Sequence, residues 1–421
     1  MDRPSPPLVS PDRRPLILWP SSARGWFGGR AVVAWDPIDV RHDVSLADAA
    51  AALETAYTAE KPTLVAVLAA YDGRCTLVRY ACALVRGAEG WRAWGAMAVA
   101  DEVLAALEAE TPSPIAPAEP LFRDAVWDLH GRHFRAAVDT VRERIAAGDV
   151  YVLNLTARLE GEPVLTPAES FSALVARAGS EMNAYFSGWP GDTPWLASVS
   201  PERFLRIVPG EHDARLVEVC PIKGTRPRGA TPAADVSLAS ELATDAKELA
   251  EHIMVVDLER NDLGIACAPG TVHVDPLYEV LPTPYCHQLV STVRGTLRSG
   301  ASFSDLLGAT FPCGSVTGAP KRAAVRIAAE LERSDRGAYC GSLLVAIPGE
   351  LDSSVLIRTL EGVESADGPA VARWGAGCGI TYDSDPAAEQ LETLLKASPA
   401  TGDGAPAAAL RETMRVVDGR V

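Results

Sequence analysis

The 421-residue chain has no C-x-x-C pair, no apolar run of membrane-spanning length and no excess of basic charge. Its eight cysteines (Cys75, Cys82, Cys220, Cys267, Cys286, Cys313, Cys340 and Cys378) are scattered, which argues against a zinc ribbon or a disulfide framework and fits a reducing compartment. The opening MDRPSPPLVSPDRRPLILWP holds only a short apolar run, too short for the core of a signal peptide. The expectation is a cytoplasmic protein with no membrane partner. A formal net charge of −16 repels phosphate backbones, so nucleic acid is excluded as a natural partner. CGSVTGAPK resembles a phosphate loop but lacks the GK[ST] ending, and no dinucleotide fingerprint or Ser–His–Asp arrangement is evident. HGRH (130–133) has no matching pair of ligands elsewhere. What the chain does have is apolar mass: 48% hydrophobic residues, ample for one large domain or two ordinary ones.

Residues 1–120 read as a β-rich lobe, in which two apolar runs meet at the hairpin signal Asp72-Gly73. A proline-rich connector, ETPSPIAPAEP, closes it. A helix follows with Phe134, Val138, Val141 and Ile145 on one face, ending at Gly148. Strands are expected at VYVLNLTARL, PWLASVSPERFLRIV and ARLVEVCPIK, then a long helix from about Asp235 to Glu259 that stops near NDLG. YCGSLLVAI and SSVLIRTLEGV flank a Pro-Gly turn, and ARWGAGCGI leads through DSDP into a final helix. Residues 397–409 read as a linker and 401–421 as a tail. Strands come in adjacent groups rather than alternating with helices, so the class is α+β.

Four places carry chemistry. On the long helix Glu251 shares a face with Lys247, Met254, Val255 and Leu258, where a carboxylate needs a cation. Pairing with Lys247 and metal ligation both satisfy that need. On the last helix Glu389, Glu392 and Lys396 share a face, with Leu391, Leu394 and Leu395 opposite. Such a face is either solvated or, with two carboxylates one turn apart, suited to Mg²⁺. Alternation in SSVLIRTLEGV puts Arg358 beside Leu356 and Leu360, where its fork matches a substrate carboxylate or a structural ion pair. Gly375, Gly377 and Gly379 project to one side of a strand, open to a ligand or to tight packing.

The motifs SPERFL, PIKGTRPRG, KELAEHIMVVDLERNDLG, HQLVSTVRG, FPCGSVTGAPK, YCG, IRTLEG and GAGCGITYDSDPAAEQLETLLKA occur in this order between about residues 125 and 400. Together they resemble the chorismate-utilising enzymes. That resemblance implies a catalytic core over 121–400: a large sandwich of two antiparallel sheets packed face to face, with helices outside and the site in a cleft between them. It implies that Glu251 and Glu392, with Glu389 directly or through water, ligate Mg²⁺, which holds the ring carboxylate of chorismate. Arg358 and Tyr339 would bind the enolpyruvyl carboxylate. Lys396, Thr317 and the backbone at Gly379 would complete the substrate site, His287 would lie near the ring, and Glu202 would protonate the departing ring hydroxyl.

Within the family, the branch that resembles PIKGT most is the one that aminates the ring at C-4, the aminodeoxychorismate synthases component I. Anthranilate synthases have alanine where Lys223 stands. In the C-4 branch the lysine is held to attack the ring before ammonia displaces it; serving as counter-charge to a substrate carboxylate is the alternative. Water-using members carry a base lysine at the position of Val152, and ammonia-using members usually have glutamine there. No nucleophile-elbow cysteine motif is visible, so ammonia is expected from a separate glutamine amidotransferase subunit. Anthranilate synthase component I is the rival reading.

Overall fold

The computed structural model describes residues 11–87, 89–95, 119–283, 286–363 and 370–402. Most of the proline-rich connector and the tail beyond 402 lie outside these residues.

Two antiparallel sheets dominate. The first has eleven strands: Gly318–Ala319, Val152–Pro163, Val371–Ile380, Thr359–Val363, Trp195–Ser200, Met182–Phe186, Leu16–Trp19, Ala31–Ala34, Cys82–Gly87 and Gly90–Gly95 in spatial order, with Phe122–Trp127 also paired to Val152–Pro163. The second has nine: His273–Val274, Val293–Thr296, Arg215–Cys220, Arg203–Pro209, Glu350–Val355, Ser342–Ile347, Leu64–Ala69, Cys75–Tyr80 and Pro37–Val44. The N-terminal segment supplies strands to both sheets, with the hairpin at Asp72-Gly73 joining two of them.

Strand alternation explains the layering. Leu64, Ala66 and Leu68 pack with Leu16, Leu18, Leu343 and Val345 in a core shared by both sheets. Their neighbours Val65, Val67 and Ala69 face the other way, onto helices Leu46–Tyr57, Ala246–Ala266 and Phe303–Thr310. The far face of the first sheet is covered by Pro167–Ala178 and by Arg132–Ala146 with Lys321–Leu331. A strand buried on both faces reads as a continuous apolar run, as LVAVLA does, and the architecture is a helix–sheet–sheet–helix sandwich of the α+β class. Ala397 and Ala400, in the segment expected to be a linker, are buried, and Ala400 O accepts from Leu121 N at 2.8 Å.

Several expected elements divide where the chain changes layers. PWLASVSPERFLRIV is two strands, one in each sheet, with Pro201-Glu202 as the crossing. SSVLIRTLEGV likewise divides between Glu350–Val355 and Thr359–Val363, so Arg358 lies at a crossing and not on a regular strand face. The crossings are tied together: Ser200 Oγ donates to Val355 O at 2.6 Å, Val355 N to Glu202 O at 3.1 Å, and Val199 N to Arg358 O at 3.0 Å.

The long helix is two helices, Pro232–Thr244 and Ala246–Ala266, and it runs through NDLG rather than stopping there. Asp245 causes the break: its carboxylate accepts from the amides of Lys247 and Glu248, capping the second helix. Among the described residues no helix is long and apolar enough to cross a membrane.

Candidate active site

PIKGTRP forms a strand, Ile222–Pro227, in a third, three-stranded sheet with Cys286–Val290 and Glu279–Pro282. Arg226 holds this sheet to both helices, reaching Asp245 at 2.6 Å and Glu241 and Glu248 at 3.0 Å. The pairing register slips between Ile222 and Thr225, leaving Lys223 and Gly224 in the irregularity. Gly224 has φ +87°, a conformation that suits glycine, and such bulges re-aim the neighbouring side chain.

The Lys223 side chain lines a pocket with Val152, Asn154, Met254, Val255, Leu258, Gly314, Ser315, Thr317, Gly318 and Gly379. A Cβ on Gly379 would stand 3.1 Å from Lys223 Nζ, so the bare strand face is what lets the ammonium reach the floor. Gly379→Ala is expected to push Lys223 Nζ aside while the fold is retained, and to lower by about tenfold or more the kcat of any reaction in which this nitrogen takes part. Product rate and thermal midpoint measured together check this. Gly375, further along the same face, is packed under the Tyr339 ring instead. The glycine row therefore serves both a pocket wall and close packing.

Glu202 is 3% exposed, Oε1 has no hydrogen-bond partner, and burial pushes its carboxyl up to about 7 against the opposing pull of Ser315 and Lys223. A protonated carboxyl at neutral pH is what a proton donor requires. Arg358 is half-buried with φ +49° and forms no ion pair among the described residues; burial lowers its affinity for its proton. A guanidinium in that situation favours an anionic ligand over the structural pair that was the alternative.

The helix face expected for Glu251 lines the pocket through Met254, Val255 and Leu258. Glu251 itself sits 3.7 Å from Lys247, while burial raises its affinity for a proton and Lys223 opposes this. Glu389 is buried and accepts from Ser384 Oγ at 2.7 Å. Glu392 pairs with Lys396 at 2.7 Å, and that ion pair holds its carboxyl below the usual range. Lys396 also donates to Gly377 O at 2.8 Å. On this last helix Glu389, Gln390 and Thr393 are buried and Leu395 is exposed, the reverse of an ordinary amphipathic helix. The buried polar groups have partners in the protein, Ser384 for Glu389, Arg135 for Gln390 and Cys378 for Thr393, while Glu392 stays exposed.

Among the described residues no three or more His, Cys, Asp or Glu side chains converge into a metal cage. The donor chemistry still fits a hard cation. Glu251, Glu389 and Glu392 all interact electrostatically with Lys247, and Mg²⁺ takes only one or two protein carboxylates, filling its other positions from substrate and water.

Thr317 is buried, with its hydroxyl donating to Cys313 O and Gly314 O. Tyr339 lines a neighbouring cleft with Arg158, Arg336 and Glu361, not the Lys223 pocket. His287 is engaged by Asp235, Nε2 to Oδ1 at 2.9 Å, and does not line the pocket. Asn154, Ser315 and Glu259 were not picked out from the sequence. One signal was available: lysine occurs at 61, 223, 247, 321 and 396 only, and Lys223, Lys247 and Lys396 belong to this constellation, with Lys321 paired to Asp262 beneath it.

A pocket of this kind in a two-sheet sandwich, with Lys223 on its wall and the buried carboxyl of Glu202 against Ser315, has the chemistry of a small-molecule site. Residues 52–402 match the chorismate binding enzyme family, and the chain belongs to it. It is 41% identical over 276 residues to an aminodeoxychorismate synthase of Streptomyces pristinaespiralis, covering 64% of this chain and 37% of that protein. It is 40% identical over 270 residues to an anthranilate synthase component 1 of Haloarcula marismortui, covering 64% and 53%. The aligned stretch thus spans between about a third and a half of these relatives' length. The crystal structure of anthranilate synthase component I from Streptococcus pneumoniae superposes with a TM-score of 0.71 at 25% identity, over 88% of this chain and 92% of that one.

Proposed function

We propose that the chain converts chorismate and ammonia to 4-amino-4-deoxychorismate, acting as an aminodeoxychorismate synthase component I on the route to p-aminobenzoate and folate. The observation that carries the reading is Lys223: it lines the pocket, lies against Gly379, forms no ion pair among the described residues and acts electrostatically on Glu202. The similarity to an aminodeoxychorismate synthase supports it, and the nearly equal similarity to an anthranilate synthase component 1 keeps that activity as the second reading.

The chemistry follows from the groups present. Hydroxide is a poor leaving group, so Glu202 gives its proton to the C-4 oxygen, which departs as water. The neutral amine of Lys223 adds to the conjugated ring as the double bonds shift, and ammonia then adds at C-4 with expulsion of the lysine. Arg358 and Lys396 hold the substrate's carboxylates, and Thr317 and the Gly379 backbone limit its position. Mg²⁺, held by Glu251 and Glu392 with Glu389 directly or through water, would supply charge neutralisation at the ring carboxylate. Ammonia would come from a separate glutamine amidotransferase, as the "component 1" of the relative's name suggests.

The test is product identification. The chain is incubated with chorismate, Mg²⁺ and ammonium, with and without an added lyase, and products are separated by mass. The expected product is 4-amino-4-deoxychorismate, giving p-aminobenzoate only with the lyase. Pyruvate with fluorescent anthranilate and no amino product would replace the proposal by the second reading. Glu251→Gln is expected to raise the Mg²⁺ concentration for half-maximal rate by at least about tenfold. An unchanged metal titration would remove Glu251 from the ligand set.

A further inference from the structure

Glu202 is not the only carboxyl buried at this end of the pocket. Glu259 lies one residue beyond pocket-lining Leu258 on helix Ala246–Ala266 and is 1% exposed. Its Oε1 accepts from Cys313 Sγ at 3.3 Å, and its Oε2 has no hydrogen-bond partner. Cys313 Sγ stands 3.2 Å from Ser315 Oγ. Ser315 in turn lies against Glu202 and lines the pocket. Gly314 permits this approach, since a Cβ there would stand 2.8 Å from Glu259 Oε1.

The surrounding charges leave the pair under-compensated. Lys223 faces Glu202 from strand Ile222–Pro227 but forms no ion pair with it among the described residues. On the other side Lys321, from helix Lys321–Leu331, is taken up by Asp262 at 2.6 Å and by Thr310 O at 2.9 Å. Arg203, next in chain to Glu202, is bound to Asp352 at 2.8 Å. Two carboxyls in a dry layer without a cation of their own cannot both be ionised cheaply.

We propose that Glu259 is a positioning residue for the proton of Glu202: the two carboxyls, bridged by Cys313 and Ser315, form a coupled pair that keeps Glu202 in its donor form at neutral pH. This rests on the reading of Glu202 as general acid. Burial pushes each carboxyl up to about 7; the Glu259 charge raises Glu202 further, while Glu259 is itself raised by Asp262 and touches the Cys313–Ser315 loop that leads to Glu202. Coupled sites release their protons in two steps that belong to the pair.

The test is an infrared pH titration of the protonated-carboxyl band in the full chain, compared with Glu259→Gln and Glu202→Gln, alongside pH–rate profiles. Removing the negative charge of Glu259 takes away a repulsion that favours protonation of Glu202. The Glu202 midpoint and the alkaline limb of kcat are therefore expected to move down by about one pH unit. Coupling is reciprocal, so Glu202→Gln should lower the Glu259 midpoint as well, a measurement that stands even where Glu259→Gln folds poorly. Glu259→Asp, which keeps the charge, should restore most of the shift. A Glu202 midpoint unmoved in Glu259→Gln, or a Glu259 midpoint unmoved in Glu202→Gln, overturns the proposal. Full amination by Glu202→Gln would instead sink the general-acid reading and leave the infrared coupling intact.

Discussion

Lys223→Ala is expected to bind chorismate in the presence of Mg²⁺ and to form 4-amino-4-deoxychorismate at least about 10³-fold more slowly. That is the order of loss when a group acting on the reacting atoms is deleted. Binding should be little changed, because Arg358 and Lys396 stay in place and Lys223 forms no ion pair among the described residues whose loss would strand a buried carboxylate. Isothermal titration gives the binding and mass-resolved product analysis gives the rate. The decisive companion is Lys223→Arg. Arginine keeps the positive charge but does not supply a neutral nitrogen at neutral pH. If Lys223 is a nucleophile, arginine is as inactive as alanine. Substantial turnover in the arginine variant would make the lysine a counter-charge and remove the covalent step.

Glu202→Gln is expected to lower kcat by roughly 10²–10⁴-fold, the usual weight of a positioned acid. In the unsubstituted chain the rate should fall as pH rises past about 7, where this carboxyl loses its proton. The variant should lose that limb. The same group leaves a mark on stability with a definite sign. Glu202 and Glu259 are each raised from 4.5 to about 7 in the folded chain, so the folded state binds more protons than the unfolded state between those values. Their contribution to stability is fully present below about pH 4.5 and is lost as pH rises through about 7. Denaturant midpoints at pH 5 and pH 8 should differ less in Glu202→Gln than in the parent. An equal difference would mean that Glu202 is not titrating in the window its burial implies.

Much of this site could be read from side-chain periodicity. Met254, Val255 and Leu258 of the helix face that bears Glu251 line the pocket, and of the row Gly375, Gly377, Gly379 the last opens to it while the first is packed under Tyr339. Both follow from the fixed repeat of a regular element, which needs no knowledge of neighbours. Arg358 was singled out on the strength of a strand face, yet the chain there is crossing between sheets with φ +49°. The expected strand geometry does not hold there, because a crossing and a continuing strand have the same apolar composition. The helix break at Asp245 was similarly hidden, since aspartate is common inside helical patterns and caps only where the preceding chain turns away.

Local patterning by itself determined that this chain is α+β and which helix faces bear the charged residues. Only the tertiary structure decided where those faces meet. The third sheet, held by Arg226 to two helices, is what carries Lys223 to the bare floor at Gly379. The paired crossings tie the buried carboxyl of Glu202 and the half-buried guanidinium of Arg358 into one hydrogen-bonded junction. Glu259 shows the division most sharply. Along the sequence it is one more charge in DLERNDLG; in the fold it is a buried carboxyl bridged to Glu202 by Cys313 and Ser315. Whether a carboxyl is solvated or desolvated depends on what packs over it, and segments distant along the chain supply that cover.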